Sequence, residues 1–407
     1  MIPHLSIKGK NMPASPIRKL VPFAEQAKKK GIHVFHLNIG QPDIKTPELV
    51  INAIKNIDLK LIPYSPSQGY ESYREKLSEY YQKNNIQVTP NDIIITTGGS
   101  EAISIVIGSI ADPGDEIIIP EPFYANYNGF AKQNDVKVIP IHSSIEDNFA
   151  LPSISKFEQL ITSKTKAILF SNPGNPTGYV YSKEEIEKLR DLALKYNIFI
   201  ISDEVYREFI YEDTRHYSIL HTKGMENHAI IIDSVSKRYS MCGVRIGNIV
   251  TKNKKLMQIA MKFAQARLSP PTLGQIASEA AINTPQSYFD EVINEYKERK
   301  DALIEKLKEI DGIKMAEPKG AFYIMAKLPV DNTDAFAQWL LEKFSDNQQT
   351  VMIAPASGFY STEGHGDQEI RIAYVLKKED LIRSAEILKK AIVLYNSEKQ
   401  KNSKNKL

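Results

Sequence analysis

Between residues 46 and 290 the chain repeats one pattern that sets its fold: a short β-branched apolar run, a turn, then a longer amphipathic stretch. DIIIT leads into SEAISIVIGSI, and DEIIIP precedes a Tyr-rich turn. KAILF runs into NPGNPTG and then EEIEKLRDLALKYN, which has helical spacing; NIFIISDEVY and HAIIIDSVSK come next. Runs that are apolar at consecutive positions suit strands buried on both faces, and the stretches between them supply the crossovers that parallel strands require. The expectation is an α/β fold whose large unit, residues 46–290, holds a mostly parallel sheet covered by helices.

Past residue 290 the character changes. EVINEYKERKDALIEKLKEI reads as a long charged helix, KGAFYIMAKL and QEIRIAYVL as strands, and TDAFAQWLLEKF and EDLIRSAEILKKAIVLY as further helices. These predict a smaller α+β domain from residues 291–407, with the Pro-rich residues 1–45 packed beside it.

Composition narrows the function classes. A chain of 407 residues that is 42% hydrophobic can bury a large core. Its formal net charge of +3, with both signs mixed throughout, argues against a dedicated nucleic-acid or membrane-surface protein. The single cysteine, Cys242, cannot form an internal disulfide, which fits a reducing compartment. The N-terminus lacks the apolar core of a signal peptide, and no apolar stretch is long enough to span a bilayer. A cytoplasmic protein is expected.

In open α/β sheets ligands bind outside the carboxyl ends of the strands, and the unusual residues of this chain recur there. After DIIIT, TGGSEAI puts Gly98, Gly99 and Ser100 at the entrance to a helix. That is either a tight turn or an anion site built from free amides and the helix dipole. After KAILF, SNPGNPTG is a turn that also offers the Asn175 amide to the crevice. FIISDEVY places Asp203 behind apolar residues, so its carboxylate needs a helix cap, a salt bridge or a protonated ring nitrogen. Tyr206, three residues on, can reach the same pocket. After AIIID, SVSKRYSMCGVRIG sets Lys237 among Ser234, Ser236 and Arg245, a set suited to a phosphate. A lysine held beside a phosphorylated aldehyde can form a Schiff base. The compound that joins phosphate, aldehyde and a ring nitrogen in need of an aspartate is pyridoxal 5'-phosphate (PLP).

With these motifs in this order, the sequence resembles the class I aminotransferases of the fold-type I PLP enzymes, from about residue 13 to residue 390. SVSKRYSMCGVRIG is similar to the family's cofactor segment, with serine three before the lysine and arginine eight after it; SNPGNPTG and SDEVY lie upstream in the family's order. The resemblance implies that Lys237 is the Schiff-base lysine and that Asp203 pairs with the pyridinium nitrogen. It implies that Tyr206 and Asn175 contact the ring oxygen and that Gly99, Ser100, Ser234 and Arg245 cup the phosphate. Tyr124, in EPFYANY, falls where an aromatic ring stacks on the cofactor. Arg371, in QEIRIAYVL, looks like the arginine that clamps the substrate α-carboxylate, with Gly40 of LNIGQPD and Asn175 beside it. Tyr64, in YSPSQGYESYREKL, matches the tyrosine that reaches the neighbouring subunit's phosphate, which implies a homodimer with shared sites. Without the resemblance, Tyr124 is a core or surface tyrosine, Tyr64 a turn tyrosine and Arg371 an edge-strand arginine snorkelling to water. No residue is assigned to a metal.

The implied activity is ping-pong transfer of an amino group from an L-amino acid to a 2-oxo acid such as 2-oxoglutarate, with Lys237 as general base. An aspartate-like substrate is the first expectation; aromatic or neutral amino acids, or a PLP-dependent lyase reaction, are the alternatives. Arg267, in FAQARLSPPTLGQ, is either a second cation for a side-chain carboxylate or a structural residue at a helix start.

Overall fold

The computed structural model describes residues 3–211 and 215–404. Strand β1 (His33–His36) lies apart from the next seven in the chain. These are β2 (Ile93–Thr96), β3 (Glu116–Glu121), β4 (Lys137–His142), β5 (Thr165–Ser171), β6 (Phe199–Asp203), β7 (Ala229–Ser234) and β8 (Gly247–Val250). They form one sheet in the order β2-β8-β7-β6-β5-β3-β4. Strands β4, β3, β5, β6 and β7 are parallel neighbours, and β8 runs antiparallel to both β7 and β2.

The consecutive isoleucines explain the burial. Ile93, Ile95, Ile118, Ile168, Ile200 and Ile231 pack on one face of the sheet; Ile94, Ile117, Ile119, Ile201, Ile230 and Ile232 pack on the other. Helices Gly98–Ile110 and Lys254–Ala266 cover the second face, and Lys183–Tyr196 and Thr272–Ala281 the first. The expected α/β architecture is therefore present, with every strand run read between residues 46 and 290 inside this sheet. Sequence reading did not single out β4 or β8. Four-residue GNIV has a glycine and a buried asparagine, so its apolar signal is too short to stand out.

The remaining strands are β9 (Lys314–Met315), β10 (Tyr323–Lys327), β11 (Gln349–Met352), β12 (Ala354–Pro355) and β13 (Glu369–Ala373). An antiparallel sheet runs β12-β13-β10-β9, while β1 pairs in parallel with β11. That pairing sets β1 of the N-terminal segment beside β11. Helices Gln286–Leu307, Thr333–Lys343 and Lys378–Lys404 supply Leu303, Leu307, Phe336, Leu340 and Leu388 to their shared core. No helix among the described residues is long and apolar enough to cross a membrane.

Strand β8 draws two turns together. Ser234 of β7 pairs with Gly247, and Gly247 pairs with Thr96 of β2. A Cβ on Gly247 would lie 2.6 Å from both Gly98 C and Gly99 N. Only glycine there lets the turn after β2 rest against the segment that links β7 to β8.

Candidate active site

The carboxyl ends of β2, β3, β5, β6 and β7 open into a cavity of about 340 Å³. Gly99, Ser100, Tyr124, Asn175, Asp203 and Tyr206 line it, together with Ser234, Ser236, Lys237, Arg245, Gly40 and Arg371. Every site residue expected from the sequence is thus brought to one place, with one exception. Tyr64 is 79% exposed and lies outside the cavity.

Lys237 stands on the four-residue helix Val235–Arg238, whose first turn is capped by Ser234 accepting from Ser236 N at 3.1 Å. Its neighbour anchors the segment from below. Arg238 donates to both oxygens of Asp233, at 2.9 and 2.7 Å, and Asp233 also accepts from Tyr81 Oη at 2.9 Å. Arg207 lies 3.4 Å from the same carboxylate, and all four side chains are buried. Burial by itself would raise the Asp233 carboxyl, but Arg238 and Arg207 outweigh it and hold the group below its ordinary value. The backbone under Lys237 is therefore pinned, while its Nζ faces the cavity and donates to Gly40 O at 2.8 Å.

One end of the cavity is built for an anion. Gly98 has φ +77°, and a Cβ on it would lie 2.6 Å from Arg245 Nη2. Glycine thus admits the guanidinium against the first turn of helix Gly98–Ile110, where free amides and the helix dipole also favour negative charge. The Ser100, Ser234 and Ser236 side chains border the same end. Ser234 Oγ lies 2.8 Å from both Ser236 Oγ and Ile246 O. The TGGS segment is both a tight turn and one wall of this cradle.

Asp203 lines another wall and is 6% exposed. Tyr127 Oη donates to it at 2.7 Å, and among the described residues no cation forms an ion pair with it. Burial pushes its carboxyl up to about 6, partly offset by the Tyr127 hydrogen bond. Tyr206 Oη is 2.7 Å from Tyr323 Oη, and the Tyr124 ring meets Tyr127 edge-on at 5.4 Å.

Arg371 is not the edge arginine that a bland reading allows. It sits on β13, between β12 and β10, and is 2% exposed. Its Nη1 donates to Asn175 Oδ1 at 3.0 Å and its Nη2 to Asn38 O at 2.6 Å; Nε has no partner among the described residues. The guanidinium lies 4.5 Å from the Tyr323 ring centre and 4.8 Å from that of Phe359. Among the described residues no carboxylate pairs with it. Burial lowers its pKa, yet a guanidinium stays charged in a protein, so this is a buried cation in need of an anion.

Sequence reading missed Tyr127, Tyr323 and Arg18, all of which line the cavity. Tyr127 had a weak signal, since it falls three residues after Tyr124, in the first turn of the helix Asn126–Gln133. Tyr323 had none: its role follows from Gly40, where a Cβ would lie 1.9 Å from Tyr323 Oη. Arg267 takes the structural alternative. It caps the end of helix Lys254–Ala266, not the start of one, and does not line the cavity. Its Nη2 donates to Ser67 O and Ile95 O at 3.1 Å, and its Nε is 3.7 Å from Glu101.

The family model described as aminotransferase class I and II matches residues 32–388. The chain belongs to this family. The aminotransferase is 34% identical to an aspartate aminotransferase of Pyrococcus horikoshii over 365 residues, covering 88% of this chain and 90% of the relative. It is 33% identical to a probable aspartate aminotransferase of Methanocaldococcus jannaschii, covering 95% and 99%. Among solved structures, a Thermus thermophilus aspartate aminotransferase mutant superposes with a TM-score of 0.88 at 28% identity, covering 96% of this chain and all of that one. An alanine aminotransferase from Pyrococcus furiosus gives 0.88 at 31% identity, covering 96% and 99%.

Enzymes of this family depend on PLP, and the cavity fits it. The cradle of Arg245, serine hydroxyls and helix amides suits the phosphate. The buried, cation-free carboxylate of Asp203 suits a protonated ring nitrogen, and Lys237 Nζ lies within the same cavity.

The Asp203 carboxyl also predicts a stability effect. Its folded-state value, about 6, lies above the ordinary 3.8, so the folded chain holds its proton more tightly than the unfolded chain. Stability contributed by the protonated form is therefore lost as pH rises from 3.8 to about 6. Cofactor-free Asp203→Asn, which keeps an oxygen for Tyr127, is expected to be more stable than wild type above that window, by up to about 3 kcal/mol. The gap should shrink as pH falls towards 4. Urea unfolding of both proteins at two pH values checks this, and a gap that does not change with pH would contradict it.

Proposed function

We propose that this aminotransferase takes its amino group from a dicarboxylic amino acid, aspartate first, and passes it to a 2-oxo acid such as 2-oxoglutarate. The observation that carries the reading is Arg371, a buried guanidinium that faces the cavity and, among the described residues, has no carboxylate of its own. A substrate α-carboxylate supplies the missing anion, held by a two-pronged hydrogen bond. Asn175 Oδ1 and Asn38 O hold the fork in orientation before substrate arrives.

When bound, PLP supplies an aldehyde that takes up the amino group and a ring that accepts electrons released at the substrate α-carbon. The chain supplies the rest. Asp203 would hold the positive charge at the ring nitrogen, and Tyr127 orients that carboxylate. Lys237 Nζ takes the proton from the α-carbon as general base. Tyr206 and Asn175 would hold the ring oxygen, Tyr124 would pack against the ring, and Gly99, Ser100, Ser234, Ser236 and Arg245 would hold the phosphate. Gly40 keeps backbone close to the substrate carboxylate, since no side chain fits between it and Tyr323.

The choice of a dicarboxylic substrate rests on Arg18. It lines the cavity, is exposed, and its side chain forms no ion pair or hydrogen bond among the described residues. A free cation on the cavity wall suits a side-chain carboxylate, the role that Arg267 does not fill. Charge-assisted hydrogen bonds contribute about 1.5–3 kcal/mol, so Arg18→Gln is expected to lower kcat/KM for aspartate about 10- to 150-fold. The value for alanine should hold. An unchanged aspartate-to-alanine ratio would favour a neutral substrate, a second reading supported by the likeness to the alanine aminotransferase.

The direct test adds amino acids singly to the cofactor-loaded enzyme, without any oxo acid, and follows the cofactor's absorption band. Conversion by aspartate or glutamate ahead of alanine supports the reading. Conversion by neutral amino acids alone overturns the substrate choice, and none by any amino acid would favour a lyase.

We also read the enzyme as a cytoplasmic homodimer. Leu61, Ile62 and Tyr64 are 74%, 58% and 79% exposed, on a segment bonded to the 268–272 stretch through Ser67 and Thr272. Leu268 adds another 54% exposed apolar side chain there. A partner covering this patch would receive Tyr64 at its own phosphate cradle. The single cysteine suits a reducing compartment. The separate cores and sheets support a large domain of residues 46–290 and a small one of residues 1–45 and 291–407.

A further inference from the structure

Outside the cavity, three potential ligands converge from three separate segments. Glu121 ends β3 and His142 ends β4, and the two are register partners across the parallel pair. His365 comes from the turn before β13. One ligand atom from each side chain lies within 4.8 Å of the others. None of the three lines the catalytic cavity.

The Glu121 carboxylate is wholly buried, and its two oxygens are treated differently. Oε2 accepts from the backbone amides of Ser361 and Thr362, at 2.9 and 3.2 Å. Among the described residues Oε1 is buried with no hydrogen-bond partner, and so is His365 Nδ1, which faces it at 3.4 Å. A protonated histidine bonded to this carboxylate would sit closer, at about 2.7–2.9 Å. Two ligands on a tetrahedral ion with bonds of about 2.0–2.1 Å lie about 3.3 Å apart. The observed spacing matches ligands bridged by an ion better than a direct hydrogen bond.

We propose that Glu121, His142 and His365 bind one divalent transition-metal ion. Two imidazole nitrogens and one carboxylate oxygen suit zinc, or cobalt in its place, with water in the fourth position; calcium and magnesium would demand more oxygen ligands. His142 is exposed, so ions have a path in and the ring has room to close the remaining distance. The Ser361 and Thr362 amides orient the carboxylate, as outer-shell donors do in metal sites. The ion would tie the end of β3, three residues before Tyr124, to the 361–366 turn. It would reinforce a junction already made by Phe123 N donating to Phe359 O at 2.9 Å.

The test uses cofactor-loaded enzyme dialysed against a chelator, then titrated with Co²⁺ while visible ligand-field bands are recorded, and with Zn²⁺ in equilibrium dialysis. One ion per chain is expected, with the band intensity of a four-coordinate site. His142→Ala and His365→Ala should each lose it. His142 is exposed, so its variant should fold as wild type does, checked by circular dichroism and the cofactor spectrum. Cys242→Ser, which removes the one thiol near Lys237, should still bind. Zn²⁺ should raise the thermal midpoint of wild type and not of the histidine variants. No stoichiometric binding in wild type, or binding that survives in both histidine variants, would overturn the proposal.

Discussion

Lys237→Ala is expected to abolish turnover while leaving the fold intact. Losing general-base catalysis alone costs about 10²–10⁴-fold in rate, and loss of the covalent link to the cofactor adds to that. The fold survives because the segment is held by Arg238 and Asp233 below it, not by Lys237. Among the described residues, the only hydrogen bonds given up are those of Nζ to Gly40 O and the longer contact to Cys242 Sγ. Lys237→Arg sharpens the result. Arginine can still donate to Gly40 O, but it does not deprotonate in a protein and cannot serve as a base. Both variants should therefore be inactive in single-turnover assays with wild-type unfolding midpoints. Full activity in either would end the assignment.

Arg371→Ala carries the next largest effect. Removing one partner of a buried, hydrogen-bonded charge pair costs about 2–5 kcal/mol, so kcat/KM should fall between about 30-fold and several thousand-fold. The loss should be similar for aspartate and alanine, because both present the same α-carboxylate. That uniformity separates Arg371 from Arg18, whose loss should tell only on the dicarboxylic substrate. Arg371→Lys should not restore activity, since an ammonium lacks the planar fork. Stability should move the other way. In the unliganded enzyme Arg371 is a buried charge without a counter-ion among the described residues, so Arg371→Met, of similar length, should unfold no earlier than wild type. A variant that kept its affinity for every amino acid would show that the α-carboxylate is held elsewhere.

Much of the site was legible because cofactor chemistry is written in short segments. TGGS, SNPGNPTG, SDEVY and SVSKRYSMCGVRIG each come directly after a run that reads as a strand, and in such sheets the ends of parallel strands face one crevice. Residues inside those segments, from Gly99 to Arg245, were found with their motifs. Tyr323 and Arg18 were not, because nothing local to KGAFYIMAKL or SPIRKL says which cavity they border. The reading of Arg267 stayed open for the same reason: its partners, Ser67 and Ile95, are remote in the chain. The Glu121, His142 and His365 group has no spacing motif at all, since its members meet through sheet register and a distant turn.

By itself the sequence determined the layers, the strands buried on both faces and the order of the chemical motifs. These arise from periods of two and 3.6 residues and from turn residues, which act over a few positions. Tertiary structure alone decided that β8 lies antiparallel between β7 and β2, which presses Gly98 against Arg245 and joins the phosphate cradle to Lys237. It alone decided that Tyr127 meets Asp203 and that Arg371 lies buried between two strands with no carboxylate of the described residues beside it. Strand neighbours and counter-charges depend on which distant surfaces exclude water together, and no local pattern encodes that choice.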